Sequence, residues 1–485
     1  MSTELRNRAF SNMIWRFMER SGAQAVTFIV QIILARLIVP EAFGIIALVL
    51  VFTTILQVFV DSGMGNALIQ KKNADDLDFS SVFYFNMAMC LVLYGLMFVA
   101  APFIADFYNM PDLTPVIRVL SLMLVVSGVR GVQQAYVSKH LMFKKFFYAT
   151  SGGTIVAAVA GVGMAYSGYG VWAIVAQYLL NAALGTIILW LTVRWRPKWM
   201  FSFERLKGLF SYGWKLLVSA LIDSVYNELR KMVIGKLYTA SDLAFYDRAA
   251  HFPRFIVFNI NTSIDSVLLP TMSAEQDDKS RVRAMTRRAI KSSTYLMMPC
   301  MVGLAVCAEP VVRLILTEKW LPCVPFLRIF CFTYAFYPIH TANLNAIKAV
   351  GRSDLFLKLE ILKKIVGLTA MFATIFISIE VMVYSYLVTT IISMCINAYP
   401  NKKLLNYSIK DQVFDMLPTI AVACAMAVPC AMVLFLGLND VLTLVIQILT
   451  GAFCYIGLSK LFKLESMNYL TDILKSLFLK FVKRR

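Results

Sequence analysis

The chain has 485 residues, 59% hydrophobic and only 15% charged, with a mean hydropathy of +0.70. Soluble globular chains carry roughly 25% charged residues and disordered ones lack apolar side chains, so both classes are excluded. The formal net charge of +19 sits in short clusters between apolar stretches, a pattern of membrane topology that excludes a nucleic-acid partner.

Stretches apolar enough to cross about 30 Å of hydrocarbon recur fourteen times. They lie at 12–36, 42–62, 82–104, 115–136, 147–167, 170–193, 210–235, 243–269, 292–316, 325–347, 356–378, 381–399, 413–436 and 440–460. The runs are too long for barrel strands, and backbone groups in lipid must be satisfied within each segment, so the fold class is all-α polytopic membrane protein. With the N-terminus inside, alternate loops place about 31 of the 47 Lys and Arg on the inner side and about 4 outside, which predicts both termini in the cytoplasm. The outer loops are too short to hide a catalytic domain. Along 463–485, Leu470, Leu477 and Phe481 share an arc opposite Asp472 and Lys480, the pattern of a basic amphipathic helix on the inner membrane surface.

The first half echoes the second. Phe10-Ser11 and Trp15-Arg16 align with Phe210-Ser211 and Trp214-Lys215; Asp61-Ser62 aligns with Asp265-Ser266; Pro115 and Arg118 align with Pro325 and Arg328. Six spans separate the members of each pair, an even number, which predicts a parallel repeat about an axis along the membrane normal. The expected organisation is a six-helix bundle over 1–197, a second over 198–405, two additional spans over 406–462 and the tail 463–485.

Spans 1, 7 and 8 carry polar stripes; the others are mostly apolar. On a helical wheel, Arg16, Glu19, Arg20 and Gln24 share a face of span 1, and Lys215, Asp223, Tyr226 and Arg230 a face of span 7. Asp247, His251, Arg254 and Asp265 share a face of span 8 beside Pro253, which favours a kink. A charge at mid-membrane costs roughly 2.5–3.5 kcal/mol, so these stripes are expected to line a wet central cavity or to form interhelical ion pairs. The cations outnumber nearby carboxylates, and a net positive cavity suits phosphate, pyrophosphate or uronic acid groups, which Arg grips bidentately. Asp61, Asp223 and Asp265 are candidate ion- or proton-coupling carboxylates, with pairing to those cations as the alternative.

Catalytic signatures are missing: there is no Walker A, G-x-S-x-G, H-E-x-x-H or dinucleotide glycine pattern. The nine Cys fall within or beside apolar spans without C-x-x-C spacing, so they read as buried small hydrophobes, with no metal and no cofactor expected.

Several short motifs carry a family likeness: Ala35-Arg36-Leu37 before Pro40-Glu41-Ala42-Phe43-Gly44, Phe59-Val60-Asp61-Ser62-Gly63, Gly170-Val171-Trp172-Ala173, Leu243 to Ala249, Lys319-Trp320 and Ala349 to Asp354. With them the chain resembles the polysaccharide transport family of the multidrug/oligosaccharidyl-lipid/polysaccharide exporter superfamily, and within it the O-antigen and colanic-acid-type exporters. The resemblance implies a twelve-helix core with two extra helices, alternating access and residence in the bacterial cytoplasmic (inner) membrane. It implies a flippase, not an enzyme, whose substrate is an oligosaccharide joined by pyrophosphate to a polyprenol. Other polysaccharide assembly proteins are expected partners. Relatives are thought to use cavity cations, matched here by Arg16, Lys215, Arg230 and Arg254; coupling to Na+ or H+ is proposed for them, without a residue signature in this chain. Two other classes remain open on the residues: an ion-coupled small-molecule antiporter, and a membrane-embedded glycosyltransferase or polymerase.

Overall fold

The computed structural model describes residues 22–61 and 64–482, with the backbone alone at scattered positions that include Lys215. Among the described residues the ordered elements are helices, without strands. The chain divides into two compact units, 1–244 and 245–485.

The first unit holds α1 (Gly22–Leu37), α2 (Pro40–Asp61), α3 (Met64–Gln70), α4 (Asp76–Tyr108), α5 (Leu113–Leu120), α6 (Leu122–Lys139), α7 (Phe143–Tyr166), α8 (Val171–Thr192) and α9 (Phe203–Leu237). Local chemistry sets the boundaries. Pro40 opens α2 at a position where its missing N–H is not needed. Asp75 and Asp78 form a reciprocal capping box at the start of α4, and Asn109 closes it in the left-handed conformation. The fourth apolar span is two helices, α5 and α6, which part at the buried Ser121. α9 packs on α2, α3 and α4. Gly44 of the Pro40–Gly44 motif is required by the close approach of the chain just beyond α9, because a Cβ there would lie 1.8 Å from the carbonyl oxygen of Ala240. Likewise Gly153 lets α7 approach the backbone of α8 at Gly185, where a Cβ would meet nitrogen at 2.8 Å.

α10 (Ala240–Ala274) passes from the first unit into the second and continues through Pro253 and Pro270. The second unit adds α11 (Lys279–Val306), α12 (Ala308–Leu316), a 3-10 turn (Glu318–Cys323), α13 (Val324–Ala335), α14 (Tyr337–Ala349), α15 (Ser353–Thr374) and α16 (Ile379–Leu405). It ends with α17 (Ile409–Met432), α18 (Asp440–Leu461) and α19 (Glu465–Val482). The basic run 279–291, read from sequence as a loop, is helix: Asp278 accepts from the backbone of Ser280 and Arg281 and so starts α11 thirteen residues before the apolar span. Tyr407, buried between α16 and α17, donates to Asp415 at 2.9 Å. Burial and that hydrogen bond push its hydroxyl well above the ordinary phenol range.

Ten of these segments are long and apolar enough to cross a membrane. α1 is described over only 16 residues, and α9, α10 and α15, which carry Glu228, Asp247 and Lys363, are not among the ten.

Candidate functional site

The stripes predicted on spans 1, 7 and 8 fall on α1, α9 and α10. Arg16, Glu19 and Arg20 lie outside the described residues, while Gln24 is half-buried on α1. The backbone of Lys215 is helical in α9 and its side chain lies outside the description.

In the first unit, Asp223, Tyr226 and Arg230 follow one another at helical spacing along α9. Asp223 is exposed, Tyr226 half-buried and Arg230 buried. The Arg230 guanidinium lies 6.0 Å from the centre of the Tyr226 ring, a cation–π arrangement that offsets part of its desolvation. Glu228, off the stripe, pairs with Lys231 at 3.1 Å. Asp61, at the end of α2, accepts from Gln57 at 3.1 Å.

In the second unit, Asp247, His251 and Arg254 share a face of α10. His251 Nε2 lies 3.3 Å from the Asp247 carboxylate, and Arg254 donates to the hydroxyl of Tyr334 on α13 at 3.4 Å. Arg248, by contrast, is buried against the ring of Trp320, 5.5 Å away, which joins the Leu243–Ala249 and Lys319-Trp320 motifs in one packing contact.

Asp265 accepts from Asn345 of α14 at 2.7 Å. Beside that contact is a buried amide network that sequence reading passed over. Asn343 and Gln412 exchange hydrogen bonds at 2.9 and 3.0 Å, and Asn401 donates to Asn343 at 2.7 Å. On the same face of α16, Asn397 contacts His340 at 2.9 Å. The spans of α14, α16 and α17 are therefore not apolar throughout. The signal was present in Asn397 and Asn401, four residues apart, but a search weighted to charge overlooks amides, although a buried amide needs its partners as surely as an ion does.

A helical chain with ten membrane-length apolar segments and ionisable side chains within further helices is a multi-pass membrane protein. Residues 33–325 match the family described as polysaccharide biosynthesis protein, and the chain belongs to that family. The teichuronic acid biosynthesis protein TuaB of Bacillus subtilis (strain 168) is 26% identical over 313 residues, 62% of this chain and 63% of that protein. The succinoglycan biosynthesis transport protein ExoT of Rhizobium meliloti (strain 1021) is 24% identical over 341 residues, 70% of this chain and 69% of that protein. The lipopolysaccharide biosynthesis protein WzxC of Escherichia coli (strain K12) is 24% identical over 361 residues, 74% of this chain and 73% of that protein. The chain thus spans just under two thirds of the length of the Bacillus relative.

Among solved structures, the lipid II flippase MurJ in its inward closed conformation superposes with a TM-score of 0.77 at 14% identity, over 93% of this chain and 98% of that one. An inward-facing multidrug resistance MATE family transporter of the MOP superfamily gives 0.60 at 13% identity, over 82% and 95%. At such identities the likeness is one of fold.

Proposed function

We propose that the protein is a flippase that moves polyprenyl-pyrophosphate-linked oligosaccharide across the bacterial cytoplasmic membrane for surface polysaccharide assembly, and that it is not an enzyme. The observation that carries this reading is the union of membership in a polysaccharide biosynthesis family with a fold shared with a lipid II flippase. The reading takes α1, α9, α10 and α15 as spans in addition to the ten apolar segments, fourteen in all, with both termini in the cytoplasm. It keeps two six-helix bundles over 1–197 and 198–405, with α17 and α18 as additions and α19 as the cytoplasmic tail.

In this mechanism the sugar and pyrophosphate head enters a cationic cavity lined by Arg16, Lys215, Arg230 and Arg254, while the prenyl tail stays in lipid between helices. Guanidinium groups suit a pyrophosphate because each offers two parallel N–H donors to two oxygens. Rocking of the halves then exposes the head on the outer side. Asp61, Asp223 and Asp265 are the carboxylates through which a Na+ or H+ gradient would couple, and other polysaccharide assembly proteins would supply the substrate and take up the product.

The test is the sidedness of lipid-linked oligosaccharide in inverted vesicles, probed with an impermeant glycosidase. Protein-dependent protection of the sugar supports translocation. A second reading, an ion-coupled small-molecule antiporter, draws on the MATE-type fold neighbour; absence of sugar protection together with gradient-driven dye transport would favour it.

A further inference from the structure

α11 carries two grooves in series along one side, both within the second unit. The first, about 490 Å³, lies between its opening turns and the start of α19, with Arg283, Arg287, Arg288, Lys291, Glu465 and Tyr469 in its wall. The second, about 560 Å³, lies between α11, α17 and α18 and is apolar, with Pro299, Gly303, Met426, Ile448 and Gly451 among its lining. Lys291 of the first groove and Tyr295 of the second are four residues apart, so one groove follows the other within a turn of helix.

The charges in the first groove do not cancel. Arg287 is held by Asp415 through Nε and Nη2 at 2.7–3.0 Å, and Lys291 pairs with Glu465 and, at 3.7 Å, with Asp415. The hydrogen bond from Lys291 holds the Glu465 carboxyl below the ordinary range. Two cations are thus matched by two carboxylates. Arg283 is near the Asp411 carboxylate, which also faces Arg287, without a salt bridge among the described residues; Arg288 lies over the Tyr469 ring at 4.5 Å. Ser292 and Ser466 add hydroxyls to the same wall.

A basic, hydroxyl-lined pocket that opens along a helix into an apolar trough complements one kind of ligand: a phosphate head carried on hydrocarbon. The trough follows α11 from Tyr295 to Cys307, about 18 Å at 1.5 Å per residue. That is close to the roughly 15 Å depth of one leaflet, the reach of an acyl chain and not of a long polyprenol.

We propose that this double groove binds an anionic phospholipid, with its phosphodiester between Arg283 and Arg288 and an acyl chain along α11, so that the lipid ties α19 to α11. The site makes no use of the α9 and α10 stripes, and its readout is bound lipid, not transport, so it stands or falls apart from the flippase reading. The experiment is native mass spectrometry of the purified full-length chain, supplied with phosphatidylglycerol or phosphatidylcholine of matched chains. We expect the wild type to retain phosphatidylglycerol preferentially, and Arg283→Gln/Arg288→Gln to lower that retention about thirtyfold, as two arginines facing an anionic headgroup should. Gly303→Leu fills the trough at a position where an added Cβ meets nothing nearer than Met426 at 4.0 Å; it should also lose the lipid with the charges intact. The melting temperature without added lipid serves as the folding control. Equal retention of the two lipids by the wild type, or unchanged retention in the double variant, would overturn the proposal. So would displacement of phosphatidylglycerol by polyprenyl pyrophosphate at equal concentration, which would assign the groove to the transported lipid.

Discussion

α4 in the first unit and α11 in the second each open with charged turns, but of opposite sign. α4 begins with Asp75, Asp76 and Asp78, which favour the positive end of the helix dipole. Each carboxylate meets a cation: Lys71 reaches Asp78 at 2.7 Å, Lys198 reaches Asp76 at 2.6 Å, and Arg205 lies 3.7 Å from Asp75 and from Asp78. The groove beside them holds Lys71, Glu204 and Arg205, so its charge is balanced locally. α11 instead opens on cations, which oppose the dipole by about 0.3–1 kcal/mol each when exposed. Compensation there is partly local, through Glu275 and the N-cap Asp278, which pair with Arg281 at 2.9 and 3.4 Å, and partly distant, through Asp415 of α17 and Glu465 of α19. The difference teaches what the segments after α16 do physically: they bring further carboxylates to a helix start whose local acids pair with Arg281 alone.

The sharpest separation of the two units lies in their glycines. Gly44→Ala would drive a Cβ into the Ala240 carbonyl oxygen at 1.8 Å, and backbone on both sides cannot yield. We expect about 3 kcal/mol or more of destabilisation, read as lost yield or a collapsed melting temperature. Gly303→Ala on α11 meets only the tip of Met426, at 4.0 Å, and should be neutral or stabilising by up to about 1 kcal/mol through helix propensity. A similar fall in both variants would mean that the second unit is packed as tightly there as the first.

Next come the carboxylates. The Asp78 side chain is fully buried, pairs with Lys71 and accepts from the backbone of Asp75 at 3.2 Å. Asp78→Asn should cost about 3 kcal/mol, the scale of breaking a buried pair. Asp415 is nearly as buried, but its main partner Arg287 is 53% exposed. Solvent screens that pair, so Asp415→Asn should cost about 1 kcal/mol. Thermal unfolding of the two variants ranks them, and the reverse order would break the contrast between a neutralised and a solvated helix start.

The polar helices predict an effect on activity. Arg230→Gln and Arg254→Gln should each lower transport of lipid-linked oligosaccharide about tenfold, or 1.4 kcal/mol. The melting temperature of Arg254→Gln should stay near that of the parent, because its hydrogen bond to the Tyr334 hydroxyl is long, at 3.4 Å. Full transport by both variants would remove these residues from the substrate path.

Much of this molecule is legible in its sequence because lipid imposes a simple rule: apolar runs must be helices. The membrane class and the polar character of α9 and α10 follow from that rule and from helical spacing. Helix ends were harder to read, because hydropathy reports only where lipid begins. Asp278 and the basic turns of α11 obey capping, so the helix runs well beyond the apolar span. The breaks at Ser121 and Phe336 were hidden for a related reason: an apolar run reads as continuous whether its helix continues or turns. The Asn343, Asn401 and Gln412 network escaped because amides carry no charge to mark them, and only tertiary packing reveals their partners.

The smallest expected effect tests the repeat itself. Arg118 of α5 donates through Nε to the carbonyl oxygen of Phe98 in α4 at 3.3 Å, and Arg328 of α13 donates in the same way to Ala305 of α11 at 3.3 Å. These are the arginines that the sequence aligns between the halves, and each seals a carbonyl on the long helix that precedes it. Arg118→Gln and Arg328→Gln should therefore cost similar amounts, about 0.5–1.5 kcal/mol each, as single hydrogen bonds do. Arg118 also lies over the Phe98 ring at 4.3 Å, so its variant should fall at the upper end. If Arg118→Lys restored stability while Arg328→Lys did not, the stacking charge would be what matters in the first unit and the guanidinium donor in the second, and the two positions would share an alignment but not a physical role.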